Sequence, residues 1–190
     1  MEELFHHIQR YISISREEFL EIEHYFDVIK LSKKDHLQQY KNSSEYLFFV
    51  VSGCLHMYFI NEKGDNQTVQ FAIENWWMND PLSFYHSHKT EFYFQAIEGC
   101  TILGITKQNQ EKLLAFNPKI ERYFRTLYQI AYGAALYRIK YIYEASKAER
   151  YFHFVQYYPE FAQRIPQYLI ASYLGLSPEY VSEIRSKKLS

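Results

Sequence analysis

The chain of 190 residues has little cysteine, proline or glycine and almost no net charge. Its two cysteines, Cys54 and Cys100, are too few for a disulfide framework or a four-thiolate iron–sulfur site, so we expect two reduced thiols in strands. A formal net charge of −1 gives no overall attraction to nucleic acid, so any such attraction must be local. No apolar run approaches the roughly 20 residues that span a bilayer, and the N-terminus lacks a signal-peptide pattern. These absences favour a cytoplasmic protein with no membrane partner.

What the sequence does contain begins with a helix start near the N-terminus. Ser15 and Glu18 have the spacing of a capping box, in which the two residues satisfy each other's free backbone amides. The pair His6 and His7, further upstream, is interpreted as solvated. The apolar positions expected on the capped helix are Phe19, Ile22 and Phe26.

A β-rich stretch follows, from about residue 28 to residue 105. Short runs of β-branched and aromatic residues alternate there with turn signals such as Ser52–Gly53, which predicts a compact antiparallel roll. The clearest runs are residues 46–51, 55–60, 68–73 and 92–97. From Gln108 the pattern becomes helical, with a break at Asn117 and Pro118.

The helix after Pro118 carries apolar residues at alternating spacings of three and four. Such a stripe is typical of the seam of a coiled coil, so one face of this helix is expected to meet a second copy of the chain. The alternative is an ordinary core helix with a broad apolar face. The stripe consists of Ile120, Tyr123, Leu127, Ile130, Ala134, Tyr137 and Tyr141.

The C-terminal segment predicts two short helices joined at Gly175. The first would open at Pro166, where the missing N–H is no loss, and would bury Leu169, Ile170 and Tyr173. Ser177 and Pro178 would start the second helix, with Val181 and Ile184 on its inner side. A helix-turn-helix of this kind can place its second helix in the major groove of DNA.

The order of these parts resembles the CRP/FNR-type transcription regulators, with a cyclic-nucleotide-binding-like β-roll, and it does so over essentially the whole chain. The most specific similarity, to a Bacteroidetes-like subgroup, lies in residues 157–185, with further similarity in residues 47–53 and 71–77. The resemblance implies an α+β fold: an antiparallel, cupin-like β-roll (double-stranded β-helix), a long dimerisation helix and a small helix-turn-helix domain without an obvious wing. The expected boundaries are 1–117 for the sensor with its flanking helices, 118–145 for the dimerisation helix and 146–190 for the DNA-binding domain.

The resemblance also implies a function and partners. The chain is expected to be a homodimeric regulator that binds double-stranded DNA and is not an enzyme. RNA polymerase is a further partner suggested by the family, and an unidentified small-molecule effector is left open. The alternative is a β-roll ligand-binding or interaction module that has lost specific DNA readout.

The sensor departs from the family pattern at the phosphate-binding position. Family members that bind a cyclic nucleotide carry a Gly-Glu pair and later an arginine whose fork bonds the cyclic phosphate. Here Asp80 lies in the first pair and Thr90–Glu91 occupies the second, so a carboxylate would face the anion. We therefore expect no cofactor, and cyclic AMP and cyclic GMP are disfavoured. The residues predicted to line any ligand pocket are Trp77, Asp80, Lys89, Thr90 and Glu91.

The reading helix also departs from the family. Relatives commonly place a Glu near its start and an Arg four residues later; Glu179 matches the first, but Glu183 stands at the second and cannot donate to guanine. From residue 144 to 190 the six basic residues exceed the five acidic ones by one, which predicts modest, salt-sensitive binding. The predicted DNA contacts are Gln167, Ser177, Glu179, Tyr180, Ser182, Arg185, Lys187 and Lys188.

A metal-dependent enzyme is the remaining class to weigh. His86 and His88, with Glu91, loosely resemble the first metal motif of cupins. A second half-motif would need another histidine within the barrel, and the sequence has none between His88 and His153. No metal site and no catalytic residue are therefore predicted.

Overall fold

A computed structural model describes residues 1–39, 41, 42 and 45–189 of the chain. Helices α1 (Glu2–Gln9) and α2 (Arg16–Leu20) come first, followed by a 3-10 turn at Glu23–Tyr25. The strands are β1 (Asp27–Leu31), β2 (His36–Gln38), β3 (Tyr46–Ser52), β4 (Leu55–Ile60), β5 (Asn66–Ala72), β6 (Trp77–Met78), β7 (Tyr93–Ala96) and β8 (Cys100–Thr106). The other helices are α3 (Pro81–His86), α4 (Lys107–Phe116), α5 (Lys119–Glu144), α6 (Lys147–Tyr157), α7 (Pro159–Arg164), α8 (Gln167–Leu174) and α9 (Pro178–Leu189).

The strands form two four-stranded sheets in the described part of the chain. Their orders are β1–β8–β3–β6 and β2–β7–β4–β5. Strand β8 pairs antiparallel with both β1 and β3, so Leu103 lies opposite Val28 on one side and Phe49 on the other. The predicted antiparallel β-rich stretch, followed by C-terminal helices, is confirmed.

The core of the β-rich region is closed by helices. Leu4 and Ile8 of α1, Phe19 of α2 and Leu113 of α4 are fully or almost fully buried together with residues of β3 and β8. The apolar residues of these short helices can leave water only by covering the sheet. The predicted capping box is present, since Ser15 and Glu18 bond each other's backbone.

The chain divides into two compact units. The first contains residues 1–57 and 71–130, and the second contains residues 58–70 and 131–190. The division falls inside α5 and inside the strands β4 and β5, whereas the boundaries expected from the sequence follow the starts of helices. A continuous helical pattern carries no signal of where its packing partners change.

Two local expectations need correction, and one helix was not predicted. Helix α2 ends at Leu20, so Ile22 and Phe26 lie beyond it, although both are buried. Cys54 lies between β3 and β4 rather than in a strand, while Cys100 begins β8; both are buried free thiols. Helix α1 gave no recognised signal in the sequence, because its eight residues carry no capping motif at either end.

Gly53, at the turn between β3 and β4, is required by both conformation and space. Its φ is +96°, and an added Cβ would lie 2.5 Å from the carbonyl oxygen of Gly99 and 2.6 Å from Sγ of Cys100. The turn therefore brings the ends of β3 and β8 close together. Among the described helices, none has the length and apolar character that a bilayer-spanning segment requires.

Candidate nucleic-acid interface and sensor site

The corner between α8 and α9 is a Schellman motif centred on Gly175. The amide of Leu176 donates to the carbonyl of Ala171 at 2.9 Å, and the amide of Gly175 donates to that of Ser172 at 3.1 Å. Gly175 adopts φ 68°, a left-handed conformation that a side chain disfavours. The Ser177 hydroxyl accepts a hydrogen bond from the Tyr180 amide at 3.2 Å and so caps the start of α9.

We expect Gly175→Ala to destabilise the second unit by about 1–2 kcal/mol, because alanine is strained in the left-handed region. An added Cβ at Gly175 meets nothing within 4 Å, so the effect isolates backbone strain. Gly133→Ala is the matched control: Gly133 lies inside α5, also with open space around it, and the change should stabilise the helix by up to about 1 kcal/mol. Urea titration followed by circular dichroism measures both. Equal effects of the two changes would contradict the assigned role of Gly175.

Four of the five residues predicted for the inner side of the two helices are buried. Leu169 and Ile170 of α8 and Val181 and Ile184 of α9 are buried. Tyr173 is half-buried rather than buried, with the Arg138 guanidinium 4.1 Å from the centre of its ring. The helices therefore pack through one apolar face and leave the opposite face of α9 open.

The outer face of α9 is exposed and carries acceptors. Pro178, Glu179, Ser182, Glu183 and Ser186 line a shallow groove on this face. Carboxylate oxygens can accept from the amino groups of cytosine and adenine in the major groove. The structure thus brings together two of the predicted contacts, Glu179 and Ser182, beside Glu183, which departs from the family pattern.

Two basic residues of α9 are engaged with neighbours. Glu183 and Lys187 form an ion pair at 2.5 Å one helical turn apart, which raises the pKa of the Lys187 ammonium. Arg185, in the C-terminal half of α9, donates to the side-chain oxygen of Gln167, so these two predicted contacts lie side by side. The remaining predicted contact, Lys188, lies outside the residues whose side chains the structure describes.

The predicted seam of α5 is divided between core and surface. Ile120 and Tyr123 are each only 1% exposed and belong to the core of the first unit, so the prediction that they contact a second copy is wrong. The first turns of α5 cover the β-roll, and that packing takes these two positions. Further along the helix the apolar side chains are open: the exposed ones are Tyr128, Ile130, Tyr132, Leu136, Tyr137, Ile139, Ile142 and Tyr143.

The segment predicted to match the family's phosphate-binding position contains a buried carboxyl group. Asp80 accepts a hydrogen bond from the Thr90 hydroxyl at 2.8 Å and from the Ser83 amide at 3.2 Å, and it caps the start of α3. Asp80 and Thr90 are 6% and 1% exposed, so the pair is shielded from solvent. The Asp80 side chain thus accepts from the hydroxyl and amide donors at the start of α3.

The other residues predicted for a ligand pocket do not join this pair. Lys89 and Glu91 are exposed, and the backbone carbonyl of Lys89 accepts from the Ser83 hydroxyl. Trp77 packs against the core beneath α1 and α5 and donates to the Tyr123 hydroxyl at 2.8 Å. The predicted pocket therefore separates into a buried Asp80–Thr90 pair, two surface residues and a tryptophan in another cluster.

A buried polar network that the sequence did not reveal links α1 to α5. His7 is 4% exposed, so its interpretation as solvated is wrong; its Nδ1 lies 2.7 Å from the Tyr123 hydroxyl. Because Trp77 can only donate to that hydroxyl, Tyr123 can in turn donate to a neutral His7. Burial, with a contribution from nearby Arg10, lowers the pKa of His7 to about 4.

This network predicts acid sensitivity. The unfolded chain takes up a proton on His7 near pH 6.5, whereas the folded chain resists protonation until about pH 4, so His7 lowers stability as pH falls through this window. The full loss is about 3 kcal/mol below pH 4. Urea midpoints of wild type and His7→Gln, measured from pH 7 to pH 4, should diverge, with the wild type falling more steeply. Parallel curves would contradict a neutral buried His7.

The histidines considered for a metal lie at the end of α3 rather than on a strand. His86 is the last residue of α3, and the rings of His86 and His88 stack with centroids 5.4 Å apart. Within the described residues, no group of three potential metal ligands comes together.

Comparison with known proteins shows what the chain resembles. The family model of the cyclic nucleotide-binding domain matches residues 28–117. Residues 28–117 therefore resemble a cyclic nucleotide-binding domain, and solved structures that resemble the chain are regulators of the CRP/FNR type. No curated protein matches the chain.

Three solved structures illustrate the similarity. FixK2 from Bradyrhizobium japonicum has a TM-score of 0.70 and 17% identity, over 85% of this chain and 83% of its own. CLP from Xanthomonas campestris, described as a c-di-GMP-responsive global regulator, has a TM-score of 0.71 and 14% identity, over 91% of this chain and 89% of its own. A mutant of CooA from Carboxydothermus hydrogenoformans has a TM-score of 0.66 and 19% identity, over 94% of this chain and 85% of its own. The structural similarity establishes a shared fold, and at identities this low it establishes the fold alone.

Proposed function

We propose that the protein is a homodimeric, DNA-binding transcription regulator of the CRP/FNR type that does not respond to cyclic AMP or cyclic GMP. The observation that carries the proposal is the corner at Gly175, which buries one side of α8 and α9 and leaves the outer face of α9 open. Two such helices read successive major grooves when a two-fold axis spaces them about 34 Å apart.

The exposed part of α5 supports the homodimer. Ile130 and Tyr137 lie on one stripe of the helix and are 54% and 74% exposed. Exposing a row of apolar side chains to water is unfavourable, and a second copy of the same helix would cover them. The stripe continues through Ala134, four residues after Ile130, and through Tyr141, four residues after Tyr137. A second copy is the partner we propose because the spacing is that of a coiled-coil seam, which pairs with a matching helix.

The Asp80–Thr90 pair supports the lack of response to cyclic nucleotides. A cyclic phosphate placed at α3 would meet a buried carboxylate, and no arginine fork lies in the matching segment to neutralise it. We propose that the sensor has no cofactor. An effector of another chemical class, and a contact with RNA polymerase, remain compatible with this arrangement.

Fluorescence anisotropy with random duplex DNA at two salt concentrations tests the proposal. We expect binding at low salt that weakens steeply at high salt, since contacts to phosphates release counterions. Millimolar cyclic AMP or cyclic GMP should leave the affinity unchanged within about twofold, since neither nucleotide would distinguish the bound from the free protein. No binding at low salt would refute DNA binding, and a large shift with cyclic nucleotide would refute the assignment of the sensor.

The ion pair on α9 favours a second candidate function. Because Glu183 neutralises Lys187, the outer face of α9 offers little positive charge to phosphates. A β-roll module for ligands or other proteins, without DNA readout, would tolerate this arrangement. The same anisotropy experiment separates the two, because such a module binds no duplex at any salt concentration.

A further inference from the structure

Two arginines hold the C-terminal end of α8, directly before the corner. The Schellman motif satisfies the carbonyls of Ala171 and Ser172 but leaves those of Tyr173 and Leu174 without partners in the helix. Arg138 donates to the Tyr173 carbonyl at 3.0 Å, and Arg150 donates to that of Leu174 at 3.3 Å. Cations are also stabilised at this end of a helix dipole. The point where the chain turns into α9 is therefore fixed by side chains from α5 and α6.

Arg138 also reaches strand β5. Its second terminal nitrogen donates to the Val69 carbonyl at 2.6 Å, while its guanidinium stacks 4.1 Å from the centre of the Tyr173 ring. A planar fork that bonds two carbonyls and stacks on an aromatic ring uses properties that lysine lacks. One side chain of α5 thus joins β5 to α8.

Ser172 forms a second joint between the same two elements. Its hydroxyl accepts from the Thr68 amide at 2.9 Å and donates to the Asn66 carbonyl at 2.8 Å. The side-chain amide of Gln67 also donates to the Ser172 carbonyl. We call this group the hairpin clamp; its members are Asn66, Gln67, Thr68, Val69, Arg138, Ser172 and Tyr173.

We infer that Arg138 and Ser172 are positioning residues for DNA reading: through the hairpin clamp they set the placement of the Gly175 corner and hence of α9. The inference rests on the proposed function, in which α9 reads DNA. Neither residue belongs to the exposed groove of α9, so their influence is exerted through α8. All members of the hairpin clamp belong to the second unit, so the inference concerns the placement of α8 and α9 within that unit.

The test compares Arg138→Met with Lys140→Met in duplex binding. Both changes remove one positive charge from the same part of α5, but among the described residues the partner of Lys140 is the exposed carboxylate of Glu144. We expect Arg138→Met to weaken binding to every duplex by about tenfold, and Lys140→Met by less than about twofold. The salt dependence should be nearly unchanged in Arg138→Met, because no phosphate contact is lost. Equal affinities of Arg138→Met and wild type would overturn the positioning role.

A second readout guards against a simple folding defect. Hydrogen exchange of the Thr68 amide should accelerate in Ser172→Ala, which removes its acceptor, and Arg138→Lys should restore part of the affinity lost in Arg138→Met. Adding DNA to the wild type should slow exchange in residues 66–69, although they lie away from the outer face of α9, since coupling between sites is reciprocal. An unchanged exchange rate in that segment on DNA binding would overturn the coupling.

The two levels of the hypothesis fail differently. A wild type that binds no duplex, with Thr68 exchange still accelerated in Ser172→Ala, would remove DNA reading and the positioning role with it while leaving the clamp as a structural contact. A wild type that binds, with Arg138→Met behaving like Lys140→Met, would leave the proposed function intact and refute this inference alone.

Discussion

The double variant Ile130→Glu/Tyr137→Glu should be monomeric and should lose at least about 100-fold in DNA affinity. Both positions lie on the predicted seam and are exposed in the single chain. In a paired helix the two carboxylates of each chain would meet those of the partner in a desolvated interface, which costs about 3 kcal/mol or more. Light scattering of the purified variant measures the change in mass.

The matched control is Tyr132→Glu/Ile139→Glu. It also removes two apolar side chains from α5 and adds two carboxylates, at positions that are 67% and 51% exposed. These positions fall on the opposite side of the seam in a heptad pattern, so the control should remain dimeric and bind DNA. If both double variants dissociate alike, α5 does not pair through the proposed stripe. If neither dissociates, the dimer is held elsewhere.

Replacing Arg185 with alanine should cost about 10-fold or more in affinity for the preferred duplex and should relax its base preference. Arg185 lies in the C-terminal half of α9 and donates to the side chain of Gln167. An arginine that bonds a guanine edge contributes about 1–3 kcal/mol of discrimination between bases. Anisotropy with the preferred duplex and with single-base variants of it measures both effects.

The matched comparison is Lys187→Ala/Lys188→Ala. Lysines that track the DNA backbone carry no sequence information, so this change should weaken all duplexes alike and flatten the salt dependence. The Glu183–Lys187 ion pair should reduce the size of this effect. A uniform loss in Arg185→Ala, without a change of preference, would place Arg185 among the backbone contacts instead.

Features set by local sequence were predictable. The capping box at Ser15, the strand runs and the break at Asn117 depend on neighbours a few residues apart, and the structure contains all three. The Gly175 corner was equally visible, because a left-handed turn after an apolar helix has a specific residue requirement. Local patterns of this kind identify where elements begin or turn, whereas the helix capped by Ser15 ends earlier than its apolar pattern predicted.

Features set by packing between distant residues were not predictable. His7 and Tyr123 are 116 positions apart, and nothing near His7 in the sequence marks it as buried. Arg138 bonds Val69 across 69 positions, so its role could not be separated from that of any other arginine on an exposed helix. Ile120 continues the heptad stripe perfectly well; only the cover it provides for the β-roll removes it from the seam.

The side-chain contacts of the predicted ligand pocket were likewise not predictable from the sequence. The carboxylate of Asp80 at the phosphate position was visible from the sequence, but its bond to Thr90 was not. The sequence placed Trp77, Lys89 and Glu91 nearby because they are close along the chain, yet their side chains point to different surroundings. Proximity in the sequence identified the segment and not the site.

Selection of duplexes from a random pool by the purified full chain is the most direct test of the account. We expect enrichment of a two-fold symmetric motif whose half-sites are about 10 base pairs apart, centre to centre, bound by two copies of the chain. Retained duplexes without symmetry, or with one copy bound to each, would contradict paired reading by two α9 helices.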